Sequence, residues 1–401
     1  MKRTAASNVY DKLGVRTIIN AKGPATRLSG GIMRPEVAAA MVEASQHCVD
    51  IAELQAAASR EIAKVTGAEA GYVASGAAAC LLIGAAACIA GLDPGRMARL
   101  PGTDGLKNEV IMVRSQRNFY DHAIRAAGAK IIEVGLPDRY AGAGVRDAEP
   151  WEIADAISER TAAIFYVADG NARPPLTDVV KIGRKHKVPV IVDAAAQLPP
   201  QTNLKRFIAE GADLVAYSGG KALGGPQASG ILCGKRDLIM SAALQHLDLD
   251  VFWDMWEPPA SLIDKRKLKG APQHGIGRTC KAGKEEIAGL ITALKLFVAE
   301  GDKARHGRWL KILETIRDSI GTAGTVTLRG AGDMQSVPVL ELALGKQYDA
   351  TKLALKLQRQ SPSIHVDPAL RHQNVLIVNP MCLTDDHAGV IARSLKHVLA
   401  G

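Results

Sequence analysis

Asp213-Leu-Val-Ala-Tyr-Ser218-Gly219-Gly220-Lys221-Ala-Leu-Gly224-Gly225-Pro226-Gln227 is the stretch around which the rest of the chain is arranged. The apolar run Leu214 to Tyr217 reads as a buried strand that stops at a serine and two glycines. One lysine follows, then two more glycines and a proline. Glycines let a backbone turn sharply and approach a ligand closely. A serine beside them offers a hydroxyl to a phosphate, and a lysine held partly out of water there loses its proton readily enough to attack an aldehyde. Taken alone, the plainer reading is a glycine-rich surface turn with a solvated lysine. The G-x-x-x-x-G-K-[ST] spacing of a nucleotide-binding loop is missing. The chemical reading therefore depends on whether the chain also supplies a phosphate cradle and an acid.

Working outward, both are found. Ser75-Gly76-Ala77 follows a short apolar strand and opens a helix of small residues, whose free N–H groups and positive dipole end suit a phosphate; an Ala-rich core helix with a serine cap is the other reading. Asp193 ends the Val-rich run Pro189-Val-Ile-Val-Asp193, 28 residues before Lys221. A carboxylate there needs a partner. Set against a pyridine nitrogen it keeps that nitrogen protonated and makes the ring an electron sink, which is the need of a pyridoxal phosphate site with a Schiff-base lysine. A turn or helix-cap aspartate is the alternative for Asp193 taken singly.

Between these points strands and helices alternate over about 170 residues: strands at 109–113, 130–134, 161–167, 189–193, 214–217 and 230–233, with helices near 121–128, 150–159 and 177–186. This pattern predicts an α/β fold with one doubly wound, mostly parallel sheet. Ser75, Asn118 to His122, Asp169 to Asn171, Asp193 and Ser218 to Lys221 all fall at or just beyond strand ends, where such sheets bind ligands. After residue 240 the pattern changes to a loop-rich stretch (250–275), a long helix to about 300, a second over about 302–322, and then short strands with two more helices, the mark of a smaller α+β domain. The expected division is an N-terminal arm and helix (1–50), a large domain (51–275) and a linker helix with the small domain (276–401).

Composition sets the bounds. The chain has 401 residues, 47% hydrophobic and only 4% aromatic, so its core is aliphatic. Its net charge of +9 could suit nucleic acid, a membrane surface or anionic substrates, but the basic residues are scattered; the densest group is Lys265-Arg266-Lys267-Leu-Lys269. Six cysteines without a C-x-x-C pair fit reduced thiols and a cytoplasmic location. No signal peptide, membrane span or metal site is expected.

The order S-G-A-A-A, an N-x-x-D-H loop, V-D-A-A-A-Q and S-G-G-K resembles the fold-type I pyridoxal phosphate enzymes, and within them the selenocysteine synthase-like family, on the side of its D-glucosaminate-6-phosphate ammonia-lyase branch. The resemblance runs from Ile18-Ile19-Asn20 to the C-terminal helix. It implies pyridoxal 5'-phosphate as cofactor, with Lys221 carrying it and moving the Cα proton and Asp193 pairing with its ring nitrogen. Ser75, Gly76, Ala77 and Ser218 are then the phosphate holders. Either Tyr120 or His122 covers the ring, His122 reading as well as a core histidine, and Asn171 contacts the cofactor or substrate. Gly277 and Arg278 belong to a loop that often reaches a neighbouring subunit, although Arg278 also reads as a surface residue. Arg27, Arg173 and Arg278 are candidates for the substrate's carboxylate or phosphate. The tRNA-dependent members carry an extra domain ahead of the I-N strand; here that strand begins at residue 18, so no nucleic acid is expected as partner.

The expected activity is α,β-elimination from a small β-hydroxy amino acid or amino-sugar acid, phosphorylated or not, giving a 2-oxo acid and ammonia. Racemase, aldolase or aminotransferase chemistry would use the same Lys–Asp pair, and a non-catalytic RNA- or partner-binding relative is the alternative from another class. A small-molecule substrate and a homodimer, or a ring of dimers with shared active sites, complete the expectation.

Overall fold

The computed structural model describes residues 8–136, 147–270, 272–320 and 325–400. The expected arm falls partly outside them, at Met1–Ser7, as do the last two residues of the helix expected over 302–322. The strands are β1 (Ile18–Ala21), β2 (Ala70–Ala74), β3 (Glu109–Val113), β4 (Lys130–Val134), β5 (Thr161–Val167), β6 (Val190–Asp193), β7 (Leu214–Ser218), β8 (Gly230–Gly234), β9 (Thr325–Arg329), β10 (Val339–Ala343), β11 (Ser363–Val366) and β12 (Val375–Val378).

The chain packs as two compact units, one of Met33–Ala299 and one of the residues up to Ile32 with those from Glu300 on. The larger unit is an α/β layer structure around a seven-stranded sheet of order β2-β8-β7-β6-β5-β3-β4. Neighbours from β7 to β4 pair in parallel, whereas β8 is antiparallel to both β7 and β2. Six strands thus run one way and β8 alone is reversed, so the expected mostly parallel, doubly wound sheet is what forms.

The strands are apolar throughout because both faces are covered. Ala74, Met112, Phe165, Ile191 and Ala216 point to the face under helices Ala77–Ala90 and Arg236–His246. Val73, Ile111, Tyr166, Val192 and Tyr217 point to the other, under helices Ile51–Thr66, Leu176–His186 and Asn203–Ala209 and the first part of the helix Lys284–Ile320. Alanines and Gly84 let the Ala77 helix lie close to the sheet, with the space at Gly84 bounded by Leu214 and Leu232.

β2 is an edge strand, and its free backbone side is closed by side chains of the Ile51 helix. Gly71 N–H donates to Ser59 Oγ (2.9 Å), Val73 N–H donates to Gln55 Oε1 (3.0 Å), and Gln55 Nε2 donates to the Val73 carbonyl (2.8 Å). No unpaired row remains there to recruit another strand.

The smaller unit is α+β. It holds a three-stranded antiparallel sheet (β12-β10-β9) and a parallel pair in which β1 lies beside β11. Helices Ala350–Arg359 and Asp385–Ala400 cover it, around a core of Leu313, Ile316, Leu340, Leu357 and Ile391. β1 therefore belongs to this unit, and the linker helix begins in the larger one. The helix Lys284–Ile320 is interrupted at Gly301 (φ 70°, ψ 164°), the residue at which the sequence separates two helices.

Candidate active site

The reversal of β8 makes the site. Gly230, its first residue, sits opposite Ala74 of β2 on one side and Ser218 of β7 on the other. One strand over, Asp193 ends β6 opposite Ala216. The ends of β2, β7 and β6 therefore meet at one edge of the sheet. Alternation along β6 and β7 sends Asp193 and Ser218 to the face of the Ala77 helix, because Val192 and Tyr217 point the other way.

The turn between β2 and the Ala77 helix is shaped for close approach. Gly76 has φ 149°, a conformation that costs any other residue strain, and the space where its side chain would stand is open. It caps the helix without a side-chain hydrogen bond, so the first-turn N–H groups stay available to an anion. Gly230 lies directly behind: a Cβ there would fall 2.4 Å from the Gly76 carbonyl carbon and 2.6 Å from the Ala77 nitrogen. The half-buried hydroxyls of Ser75 and Ser218 flank this turn from two strand ends.

Lys221 lies three residues beyond β7 on the glycine turn. That turn folds tightly: Gly219 N–H donates to the Ser229 carbonyl and Gly225 N–H to the Gly219 carbonyl, both at 2.9 Å. A Cβ on Gly219 would fall 2.1 Å from Ser229 Oγ. The Lys221 ammonium forms no ion pair among the described residues. Burial lowers its pKa, against the field of the Asp193 carboxylate. Asp193 is 7% exposed. Burial raises its carboxyl pKa, opposed by the Ala195 N–H, which donates to Oδ1 at 3.0 Å, and by Lys221. No described residue donates to its second oxygen.

These features fit pyridoxal phosphate on the chain's own terms. A dianion has an uncapped helix start and two hydroxyls, a ring N–H has a carboxylate whose second oxygen takes no hydrogen bond from a described residue, and an aldehyde has an amine without an ion pair among the described residues.

The other expected residues are placed less uniformly. Tyr120 and His122 flank Asp121 at the start of the short helix after β3; both are exposed, and Tyr120 N–H donates to Asn118 Oδ1 (2.8 Å). Asn171 stands on the turn after β5, where its N–H donates to Asp169 Oδ1 (2.7 Å) and its side chain is exposed. Arg173, on the same turn, lines a cleft beside Tyr166, under the opposite face of the sheet from Asp193. Gly277 is packed against the Gln245 carbonyl, 2.8 Å from where a Cβ would lie. The Arg278 guanidinium is already engaged: Nη1 donates to the His246 carbonyl (2.9 Å) and Nη2 pairs with Asp248 Oδ2 (3.3 Å). Arg27 belongs to the smaller unit, on the turn Thr26–Leu28 near His365.

One supporting group has no sequence signature. The Cys280 carbonyl, on the turn that carries Gly277 and Arg278, accepts from Ser75 N–H (3.1 Å) and from His246 Nε2 (2.9 Å), while the Tyr72 hydroxyl meets His246 Nδ1 at 2.9 Å. A carbonyl only accepts, so Nε2 carries the proton, and Nδ1 of the neutral ring accepts a hydrogen bond from the Tyr72 hydroxyl. Burial pushes the His246 pKa down to about 4, helped by Arg278 and opposed by the Cys280 contact. The turn of Ser75 is thereby tied to β2 and to the end of the Arg236 helix. Gln116 similarly binds the loops after β3 and β5, accepting from Val167 N–H (3.0 Å) and donating to the Arg173 carbonyl (3.2 Å).

Comparison with known proteins agrees. Residues 115–250 match the family described as SelA: L-seryl-tRNA selenium transferase. Over 99% of its length the chain is 30% identical to a 5'-C-glycyluridine monooxygenase-decarboxylase from Streptomyces, covering 94% of that protein. It is 29% identical to the D-glucosaminate-6-phosphate ammonia lyase of Salmonella typhimurium, covering 98% of both. A solved D-glucosaminate-6-phosphate ammonia-lyase superposes with a TM-score of 0.80 at 26% identity, covering 98% of this chain and 99% of that one. Fold and site define a pyridoxal phosphate-dependent enzyme of fold-type I. Within that class the chain belongs to the selenocysteine synthase-like family.

Proposed function

We infer that this enzyme is a lyase that eliminates water from a small β-hydroxy amino acid or amino-sugar acid and releases ammonia and a 2-oxo acid. The observation that carries the reading is the nearness of Lys221, which forms no ion pair among the described residues, to the buried Asp193 at the strand ends that also present the Ser75–Ala77 turn. Full-length similarity to an ammonia-lyase supports it.

Pyridoxal phosphate, when bound, supplies an aldehyde for the substrate amine and a ring that accepts the electron pair left at Cα. The N–H groups of Ala77 and its neighbours, with Ser75 and Ser218, hold the phosphate. The Asp193 carboxylate would accept the ring N–H and keep that nitrogen charged. Lys221 would be the amine that carries the cofactor. Its lowered pKa then lets Nζ take the Cα proton. That proton leaves with the β-hydroxyl as water, and the released enamine hydrolyses to the 2-oxo acid and ammonia. Tyr120 or His122 would cover the ring, and Asn171 would contact the cofactor or substrate.

The enzyme is further read as a homo-oligomer, because its larger unit exposes Phe119 (92%), Phe252 (77%) and Met255 (77%). All six cysteines are free thiols, which fits the cytoplasm.

The test is a panel of D- and L-β-hydroxy amino acids, including amino-sugar acids with and without phosphate, scored for ammonia and 2-oxo acid. One member should yield both in equal amounts, and Lys221→Ala should abolish turnover together with the visible absorbance of the bound cofactor. Normal turnover by Lys221→Ala sinks the assignment. A second reading, oxygen-dependent decarboxylation, has the Streptomyces relative behind it. It predicts dioxygen uptake and carbon dioxide release instead.

A further inference from the structure

On the face of the sheet away from Asp193, a cleft of about 290 Å³ opens beside the helices Leu176–His186 and Asn203–Ala209. Its floor is Tyr166, which packs on the same side as Val192 and Tyr217. Tyr166 is 6% exposed, and its hydroxyl, the part that reaches the cleft, bonds to no described residue. The hydroxyl senses Glu210, Arg206, Arg173 and Asp169, all of which line the cleft, so it is aimed into that space and not back into the core.

The charges around it are unevenly matched. Arg206 Nε pairs with Glu210 Oε1 at 2.6 Å. Arg173 forms no ion pair among the described residues, and its guanidinium has only a 3.3 Å contact with the Ala172 carbonyl. The Leu176–His186 helix begins at the cleft without a side-chain cap, and Thr177 of its first turn lines the space. An uncapped helix start, a guanidinium without an ion pair among the described residues and a phenol hydroxyl open to the cleft all favour an oxyanion. Asp169 and Glu210 limit its charge: one free guanidinium matches one negative charge, and a second would face two carboxylates. Asp169 also offers an acceptor to a ligand hydroxyl.

We propose that this cleft is a second ligand site, one that takes a small hydroxylated carboxylate with its carboxylate on Arg173 and the Tyr166 hydroxyl and its hydroxyl groups toward Asp169. The volume suits a ligand at the small end of the usual range. The site goes beyond the lyase reading and does not depend on it. Ala168, which also lines the cleft, donates its N–H to the Asp193 carbonyl at 2.9 Å, so the two sites are joined by one backbone hydrogen bond.

Isothermal titration of the holoenzyme with sodium gluconate, and separately with inorganic phosphate, tests this. Gluconate should bind once per chain and more tightly than phosphate. Tyr166→Phe keeps the ring packing and removes only the hydroxyl; it should weaken gluconate about tenfold, the loss of a hydrogen bond to a charged group. Its visible cofactor absorbance and melting temperature should match wild type, which separates lost binding from lost fold. Lys221→Ala should bind gluconate as wild type does. The proposal is overturned if gluconate does not bind, if Tyr166→Phe binds it equally well, or if phosphate binds more tightly.

Discussion

Asp193 carries two opposed demands. Its burial disfavours the charged form, and among the described residues only the Ala195 N–H and the field of Lys221 offset this. A raised carboxyl pKa means that the folded apoprotein binds a proton more tightly than the unfolded chain, so this group's contribution is lost as pH rises through that raised value. Asp193→Asn should therefore raise the apoprotein's stability at pH 7.5 by on the order of 1 kcal/mol while lowering turnover at least a hundredfold. Urea melts of the cofactor-free proteins check the first part, and an unchanged or lowered midpoint would contradict it. His246 runs the other way. It is a base whose folded pKa is depressed from 6.5 to about 4, so stability is present above 6.5 and is lost as pH falls toward 4. Between pH 7.5 and 5 this single group should cost about 2 kcal/mol. His246→Gln should flatten that slope, and equal slopes in the two proteins would refute it.

Among the elements, Gly230 decides whether β8 can lie against the β2 turn. In Gly230→Ala the new Cβ would meet backbone atoms of Gly76 and Ala77, which cannot step aside as a flexible side chain would. A loss of about 1–3 kcal/mol is expected, with cofactor released faster on dialysis. Gly307→Ala is the counterpart. It sits inside the helix Lys284–Ile320 with nothing within 4 Å of an added Cβ, and should gain about 0.5–1 kcal/mol. This is also the scale at which the sequence was most legible. The strands ending in Asp193 and Ser218, the Ser75-Gly76-Ala77 turn and the break at Gly301 all announce themselves through apolar runs cut by Gly, Ser or Asp. What stayed hidden depends on pairing between distant segments. Nothing local says that β8 runs backwards, or that β1 joins β11 some 345 residues away. His246 could not be singled out, because Tyr72 and Cys280, which fix its proton, lie 174 and 34 residues from it. Arg173 and Arg278 were legible as arginines near strand ends or loops, but not the face or the partners they would have.

For the whole molecule, the proposed association gives a direct prediction. Sedimentation should read a multiple of the chain mass, and replacing Phe252 and Met255 together by aspartate should shift the protein to a smaller species. A monomer in wild type would end that reading. Within the larger unit, β2 has one strand partner, β8, and the two are about 160 residues apart. During synthesis residues 70–74 therefore emerge long before anything they can pair with, and the Ser75–Ala77 turn, the proposed phosphate holder, has no backing until Gly230 arrives. Ribosome-bound chains stopped short of residue 230 should retain no cofactor, however long they are held. With the cofactor held as proposed, its loading would be a late event, able to report that most of the larger unit has already been made.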